Sequence, residues 1–136
     1  MADRLIVNVD GGARGNPGPA AIAAVVHDAD GTVLEERHER IGTATNNVAE
    51  YRALLLGIEA ARERGAREVE LIGDSELIAR QLRGEYKVKD GTLRELHAKA
   101  LQALRAFERW SIRNVKRESN AHADRLVNEA LDEAGG

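Results

Sequence analysis

Apolar and polar residues over the first forty positions follow a strand-like pattern. Arg4 to Asp10 is largely apolar between its ends, which suits a central strand. A Gly/Pro-rich turn from Gly11 to Pro19 follows. Ala20 to Asp28 reads as a second apolar strand, Asp30-Gly31 as a hairpin signal, and Thr32 to Ile41 as a third strand. The third strand mixes β-branched residues with many charges, a composition suited to a sheet edge. Three strands joined by short turns form an antiparallel meander.

The period then becomes helical. Thr45 or Asn46 can cap a helix running to about Arg64, with Tyr51, Leu54, Leu55, Ile58 and Ala61 as its apolar stripe and Gly65 as its stop. Glu68 to Gly73 is a short strand, Ser75 to about Arg83 a short helix, and Gly84 to Gly91 a polar loop. Thr92 to Glu108 is a long helix whose apolar face is Leu93, Leu96, Ala100, Leu104 and Phe107. Ser111 to Lys116 is a last strand, and Asn120 to Ala134 a closing helix. A strand–helix–strand crossover at this spacing implies a parallel pair. The fold class is therefore α/β, with a mixed sheet covered by helices.

Composition narrows the class without naming an activity. At 136 residues and 43% hydrophobic, the chain suits one domain over 1–136 with one core. It holds no run of ~18 apolar residues, so no membrane span is expected. The opening MADRLIVNVD lacks the pattern of a secretory signal. The absence of Cys removes disulfides, zinc–thiolate sites and thiol catalysis, and fits a reducing cytoplasm. A formal net charge of −3 makes no case for nucleic-acid binding, so any such role must come from a local site.

Four acids stand out once placed on this scaffold. Asp10 ends the first strand, Asp74 directly follows the fourth, Glu50 borders the apolar stripe of its helix, and Asp124 lies in the first turn of the last helix. Carboxylates at such positions are ordinarily solvated caps favoured by the helix dipole. Neighbouring central strands, however, can bring Asp10 and Asp74 to one sheet edge, where open α/β sheets take their ligands.

The residues around these acids form recognisable blocks. Asp10-Gly11-Gly12-Ala13 with Asn16-Pro17-Gly18 resembles the opening signature of the ribonuclease H type 1 family. Thr45-Asn46-Asn47 with Glu50, Asp74-Ser75, and Asn120-Ala121-His122-Ala123-Asp124-Arg125-Leu126 resemble its second, third and fourth blocks, in family order. The resemblance implies a ribonuclease H-like fold: a five-stranded sheet with its first three strands antiparallel and the fourth and fifth parallel, flanked by helices. It implies that Asp10, Glu50, Asp74 and Asp124 are catalytic and bind metal. It further implies endonucleolytic cleavage of the RNA strand of RNA–DNA hybrids, leaving 5′-phosphate and 3′-hydroxyl ends. Four gathered carboxylates repel unless cations fill the space, and such hard oxygen ligands suit two Mg²⁺ or Mn²⁺ ions.

By the same resemblance, Asn16, Asn46 and the Gly11–Arg14 turn, Gly12 included, read RNA sugars, where the 2′-hydroxyl separates RNA from DNA. Thr45 with Asn16 helps hold a phosphate of the DNA strand, and Asn47 completes the substrate-binding set. Capping and turn formation account for part of these residues' presence. A monomer is expected, and double-stranded RNA stays open as a second substrate.

Two departures from the family pattern matter. The stretch Glu76 to Gly91 carries only Arg80, Arg83, Lys87 and Lys89 where many members have a basic protrusion, so hybrid affinity should be weak and salt-sensitive. The segment Val115 to Asn120 lacks the His that many members carry before the fourth acid; Arg117, Glu118 and His122 are candidate replacements, with His122 read as a surface residue. His27, His38 and His97 read as structural. The Gly11–Gly18 turn is not a P-loop, Ser75 lies in no nucleophile elbow, and Tyr51, Tyr86 and Trp110 are too scattered for a stacking platform. A hybrid-binding module without catalysis would have no reason to keep all four acids.

Overall fold

The computed structural model describes residues 3–135; Met1, Ala2 and Gly136 of the expected 1–136 domain lie outside the described residues. The elements run β1 (Arg4–Ala13), β2 (Gly18–His27), β3 (Val33–Ala44), α1 (Asn46–Glu63), β4 (Glu68–Gly73), α2 (Glu76–Leu82), α3 (Gly91–Leu104), β5 (Arg109–Asn114), a 3₁₀ turn (Arg117–Asn120) and α4 (Ala121–Gly135). They build one five-stranded sheet in the order β3-β2-β1-β4-β5. β1 runs antiparallel to β2 and β2 to β3, while β4 lies parallel to both β1 and β5. The expected mixed sheet, with β1 central and the charged β3 at an edge, is what forms.

The two faces of the sheet pack differently. Alternate residues of β2 split between them: Ala20, Ile22, Ala24 and Val26 join the core under α1, and Ala21, Ala23 and Val25 meet Leu126, Val127 and Ala130 of α4. Burial on both faces explains the unbroken apolar run in that strand. On α1, Tyr51, Leu54, Ile58 and Ala61 are buried as the stripe predicts, joined by the small residues Ala49, Ala53, Gly57 and Ala60, with Leu55 at the flank. Small side chains let the helix sit close on the strands. A Cβ at Gly57 would come within 2.6 Å of Val9 Cγ1.

Several boundaries differ from the sequence reading. β1 does not stop at Asp10: Gly11, Gly12 and Ala13 stay paired with Ile22, Ala21 and Ala20. The Gly pair that reads as a turn is therefore strand. α3 stops at Leu104, because Arg105–Glu108 form a turn whose Glu108 N–H donates to the Arg67 carbonyl (2.8 Å), which starts β5 at Arg109 opposite Glu68. Phe107 is still buried, but from that turn, while Leu93 and Leu96 are only half-buried. β5 ends at Asn114, and α4 begins at Ala121 after the 3₁₀ turn. Gly65, at φ +74°, stops α1 as predicted.

Candidate active site

The four acids are delivered by four elements to one end of the sheet. β1 pairs with β4 only as far as Asn8 opposite Ile72, while its pairing with β2 continues to Ala13. Beyond that last shared rung a gap opens with Asp10 on one side and Asp74 on the other. Glu50 enters from α1 because β1 presses directly on that helix at Gly11. A Cβ there would stand 2.2 Å from the Ala49 carbonyl oxygen and 2.7 Å from the Glu50 nitrogen. Asp124 closes the arc from the first turn of α4. All four line a single cleft of about 480 Å³, together with Arg117 and Asn128.

Burial and mutual repulsion dominate the electrostatics. Asp10 is 7% exposed. Desolvation first, then the charges of Asp74, Asp124 and Glu50, hold its carboxyl well above the usual range, and its side chain is hydrogen-bonded to Asp124. Burial also pushes Glu50 up to about 7, with the Asp74 charge adding to it and a hydrogen bond with Ser75 opposing it. Asp74 is raised chiefly by burial, against its own backbone hydrogen bond and the nearby Arg117. Arg117 is the cleft cation engaged with these acids: its Nη2 and Nε donate to Asp124 Oδ1 at 3.0 and 3.3 Å.

Such a donor set, four carboxylates in a chain without Cys, fits a hard divalent cation. Among the described residues no three Asp, Glu, His or Cys side chains already stand around one point as a metal shell. Asp124 is engaged by Arg117 instead.

The polar residues beside the cleft form a staple between two elements. Thr45 caps α1, its Oγ1 accepting from the Val48 N–H at 3.2 Å, so the cap is Thr45 rather than Asn46. Asn46 Oδ1 accepts from the Ala13 N–H (2.9 Å), and Asn16 Oδ1 accepts from the Asn46 N–H (3.0 Å). With both oxygens engaged, each side chain offers a ligand its Nδ2–H donors. Asn46 and Asn47 border the carboxylate cleft and also a second hollow of about 500 Å³ lined by Asn16 and Thr45. The two hollows thus run on along the N-terminus of α1. Arg14 lies at the cleft rim, ion-paired with Asp132 at 2.7 Å.

Of the three candidates for the missing loop His, Arg117 lines the cleft. His122 is instead paired with Glu36 on β3. His27 and His97 bond backbone carbonyls, of Ile6 and Gln81 respectively. Three contacts were not legible in the sequence, although two of the residues lie in the quoted blocks: Ser75 with Glu50, Asp132 with Arg14, and Asn120 with β1. Asn120 sits in the closing block but reads there only as the start of a helix; its buried bonds to β1 leave no local pattern.

Comparison with known proteins places this geometry. Residues 8–130 match the family model described as reverse transcriptase-like. Ribonuclease HI of Halobacterium salinarum is 47% identical over 131 residues, 96% of this chain. The chain belongs to the ribonuclease H type 1 family. Solved ribonuclease H structures superpose closely. The N-terminal ribonuclease H domain of a Mycobacterium tuberculosis protein gives a TM-score of 0.95 at 44% identity, covering 98% of this chain and 97% of that one. LC11-RNase H1, solved in complex with an RNA/DNA hybrid, gives 0.93 at 46%, covering 97% and 99%. The chain spans 66% of the length of the Halobacterium ribonuclease HI and 36% of the full mycobacterial bifunctional protein.

Proposed function

We propose that this protein is an endoribonuclease that hydrolyses the RNA strand of RNA–DNA hybrids, with Asp10, Glu50, Asp74 and Asp124 as its catalytic, metal-binding carboxylates. The observation that carries the proposal is the convergence of these four acids, from β1, α1, the end of β4 and α4, on one cleft. A relative of the same fold, 46% identical, was solved with an RNA/DNA hybrid. Two Mg²⁺ or Mn²⁺ ions, when bound, would supply Lewis-acid stabilisation to an in-line displacement that leaves 5′-phosphate and 3′-hydroxyl ends.

The chain's own residues supply the rest. Asp10, the most buried of the four and flanked by the other three, would be the shared ligand of the two ions and the least replaceable of the set. Glu50, brought in by α1, and Asp74, at the end of β4, complete the centre beside Asp10, with Ser75 orienting Glu50. Arg117 balances the charge of Asp124 and, as a cation lining the cleft, takes the place of the absent loop His in handling the departing phosphate end. Asn16 and Asn46 turn amide donors toward the RNA sugars, with the Gly11, Gly12 and Arg14 backbone beside them. Thr45 with Asn16 takes a DNA phosphate in the second hollow, and Asn47 spans both hollows. Residues 1–136 act as one unit, a monomer working in the cytoplasm; no helix among the described residues is long and apolar enough to cross a membrane.

Cleavage of end-labelled RNA–DNA hybrid, single-stranded RNA, double-stranded RNA and double-stranded DNA, each with Mg²⁺, Mn²⁺ or EDTA, tests this reading. Metal-dependent cutting confined to the RNA of the hybrid is the expected result. Cutting of double-stranded RNA as well would widen the substrate class, whereas tight hybrid binding without cutting would make the protein a binding module.

A further inference from the structure

Three polar side chains are buried among the described residues: Asp10 in the cleft, Gln81 behind α2, and Asn120. Gln81 is accounted for by packing, since it accepts from the Tyr51 hydroxyl (2.6 Å) and ties α2 to α1. Asn120 has no such local task. At 1% exposure it is the one buried residue between Lys116 and Asn120, a connection otherwise open to solvent. Its Nδ2 donates to the Val9 carbonyl at 2.8 Å, and its Oδ1 accepts from Asn8 Nδ2 at 2.9 Å. Val9 precedes Asp10, and Asn8 makes the last rung that β1 shares with β4. Asn120 itself ends the 3₁₀ turn one helical turn before Asp124 and three residues after Arg117.

We propose that Asn120 is a positioning residue that locks the 3₁₀ turn and the start of α4 onto β1, fixing the spacing of Asp124 and Arg117 from Asp10. Its amide bonds β1 immediately beyond the last rung that β1 shares with β4, next to the residue that carries the Asp10 carboxylate. An apolar residue of similar size would fill the space but leave the Val9 carbonyl and the Asn8 amide without these partners and the turn free to slide. Fully satisfied buried polar groups of this kind fix one arrangement among several that packing alone would allow. The inference rests on the ribonuclease reading of the cleft.

The test compares wild type with Asn120→Ala, Asn8→Ala and, as a packing control on the same helix, Leu126→Ala. Leu126 is buried against β2, away from the anchor. Each protein is assayed for melting temperature, for calorimetric Mg²⁺ and Mn²⁺ affinity without substrate, and for kcat and KM on hybrid below its melting temperature. Asn120→Ala should weaken metal binding by about 10–100-fold, as loss of a group behind a metal ligand does. Misplacement by about 1 Å should lower kcat on the order of 10²-fold, with KM little changed. Leu126→Ala should lose melting temperature while keeping metal affinity and kcat. Asn8→Ala should fall between wild type and Asn120→Ala, and it carries the test if Asn120→Ala does not fold. Metal affinity and kcat at the wild-type level in the anchor variants, with only melting temperature lost, would overturn the proposal. A wild type that neither binds metal nor cuts hybrid would instead sink the underlying reading of the cleft.

Discussion

Gly11 shows how much of the cleft depends on one absent methyl group. A Cβ there would collide with the backbone of Ala49 and Glu50, not with a side chain that can turn aside. Gly11→Ala must push β1 off α1, which separates Asp10 from Glu50. We expect a loss of about 1–3 kcal/mol in chemical denaturation, the usual cost of overpacking, together with a large fall in hybrid cleavage. A variant as stable and active as wild type would show that the close approach is dispensable. Asn46 acts differently. Its oxygen serves the Ala13 N–H in an exposed staple, so Asn46→Ala should cost about 1 kcal/mol of stability or less. Its larger effect should be a several-fold rise in the hybrid Kd, read by fluorescence anisotropy; unchanged affinity would remove Asn46 from the substrate-reading set. At this scale the acids were legible because each lies within a recognisable block. The contacts around them were not, since Ser75 reaches Glu50 and Asn120 reaches β1 across 25 residues or more of chain.

Among the elements, strands and helices announced themselves where burial is periodic and misled where a second constraint overrode the pattern. The apolar run of β2 and the charged edge of β3 follow from two-faced and one-faced burial, and both were legible. β1 ran three residues past its expected end because Gly11 packs closely on α1 and both glycines stay paired with β2 rather than forming a turn. α3 ended early because a backbone bond from Glu108 to Arg67 starts β5, a constraint 41 residues distant. Helix starts were legible to within a residue or two. Three of them are held by side-chain caps, Thr45, Ser75 and Asp90 each accepting from a backbone N–H three residues on, of which only the Thr45 cap was expected. Thr45→Ala should lower stability by about 1 kcal/mol and loosen the N-terminus of α1, visible as faster amide exchange at Val48 and Ala49. Protection unchanged at both amides would mean that the Asn16–Asn46 staple alone holds this end.

For the molecule as a whole, the crowded carboxylates predict an unusual dependence of stability on pH. Glu50 stands near 4.5 when unfolded and about 7 when folded. A group raised by folding contributes its full stability below the unfolded value and loses it as pH rises through the folded one. Asp10 and Asp74 are raised too and act in the same direction. In EDTA, wild type should therefore lose on the order of 2–3 kcal/mol relative to Glu50→Gln between about pH 4.5 and 7. Mg²⁺ added at the upper end should restore much of the difference; a wild type that tracks Glu50→Gln across that window would show that the acids do not strain one another. The same crowding makes Asp10 decisive. Asp10→Asn keeps the shape of the side chain while removing the charge that the other three acids surround, so without metal it should be as stable as wild type or more so. The measurement that bears most directly on the account is single-turnover cleavage of RNA–DNA hybrid by wild type and Asp10→Asn in saturating Mg²⁺. Wild type should cut the RNA strand, and a fully folded Asp10→Asn should lose on the order of 10³-fold or more of that rate. Comparable cutting by the two proteins would contradict the account.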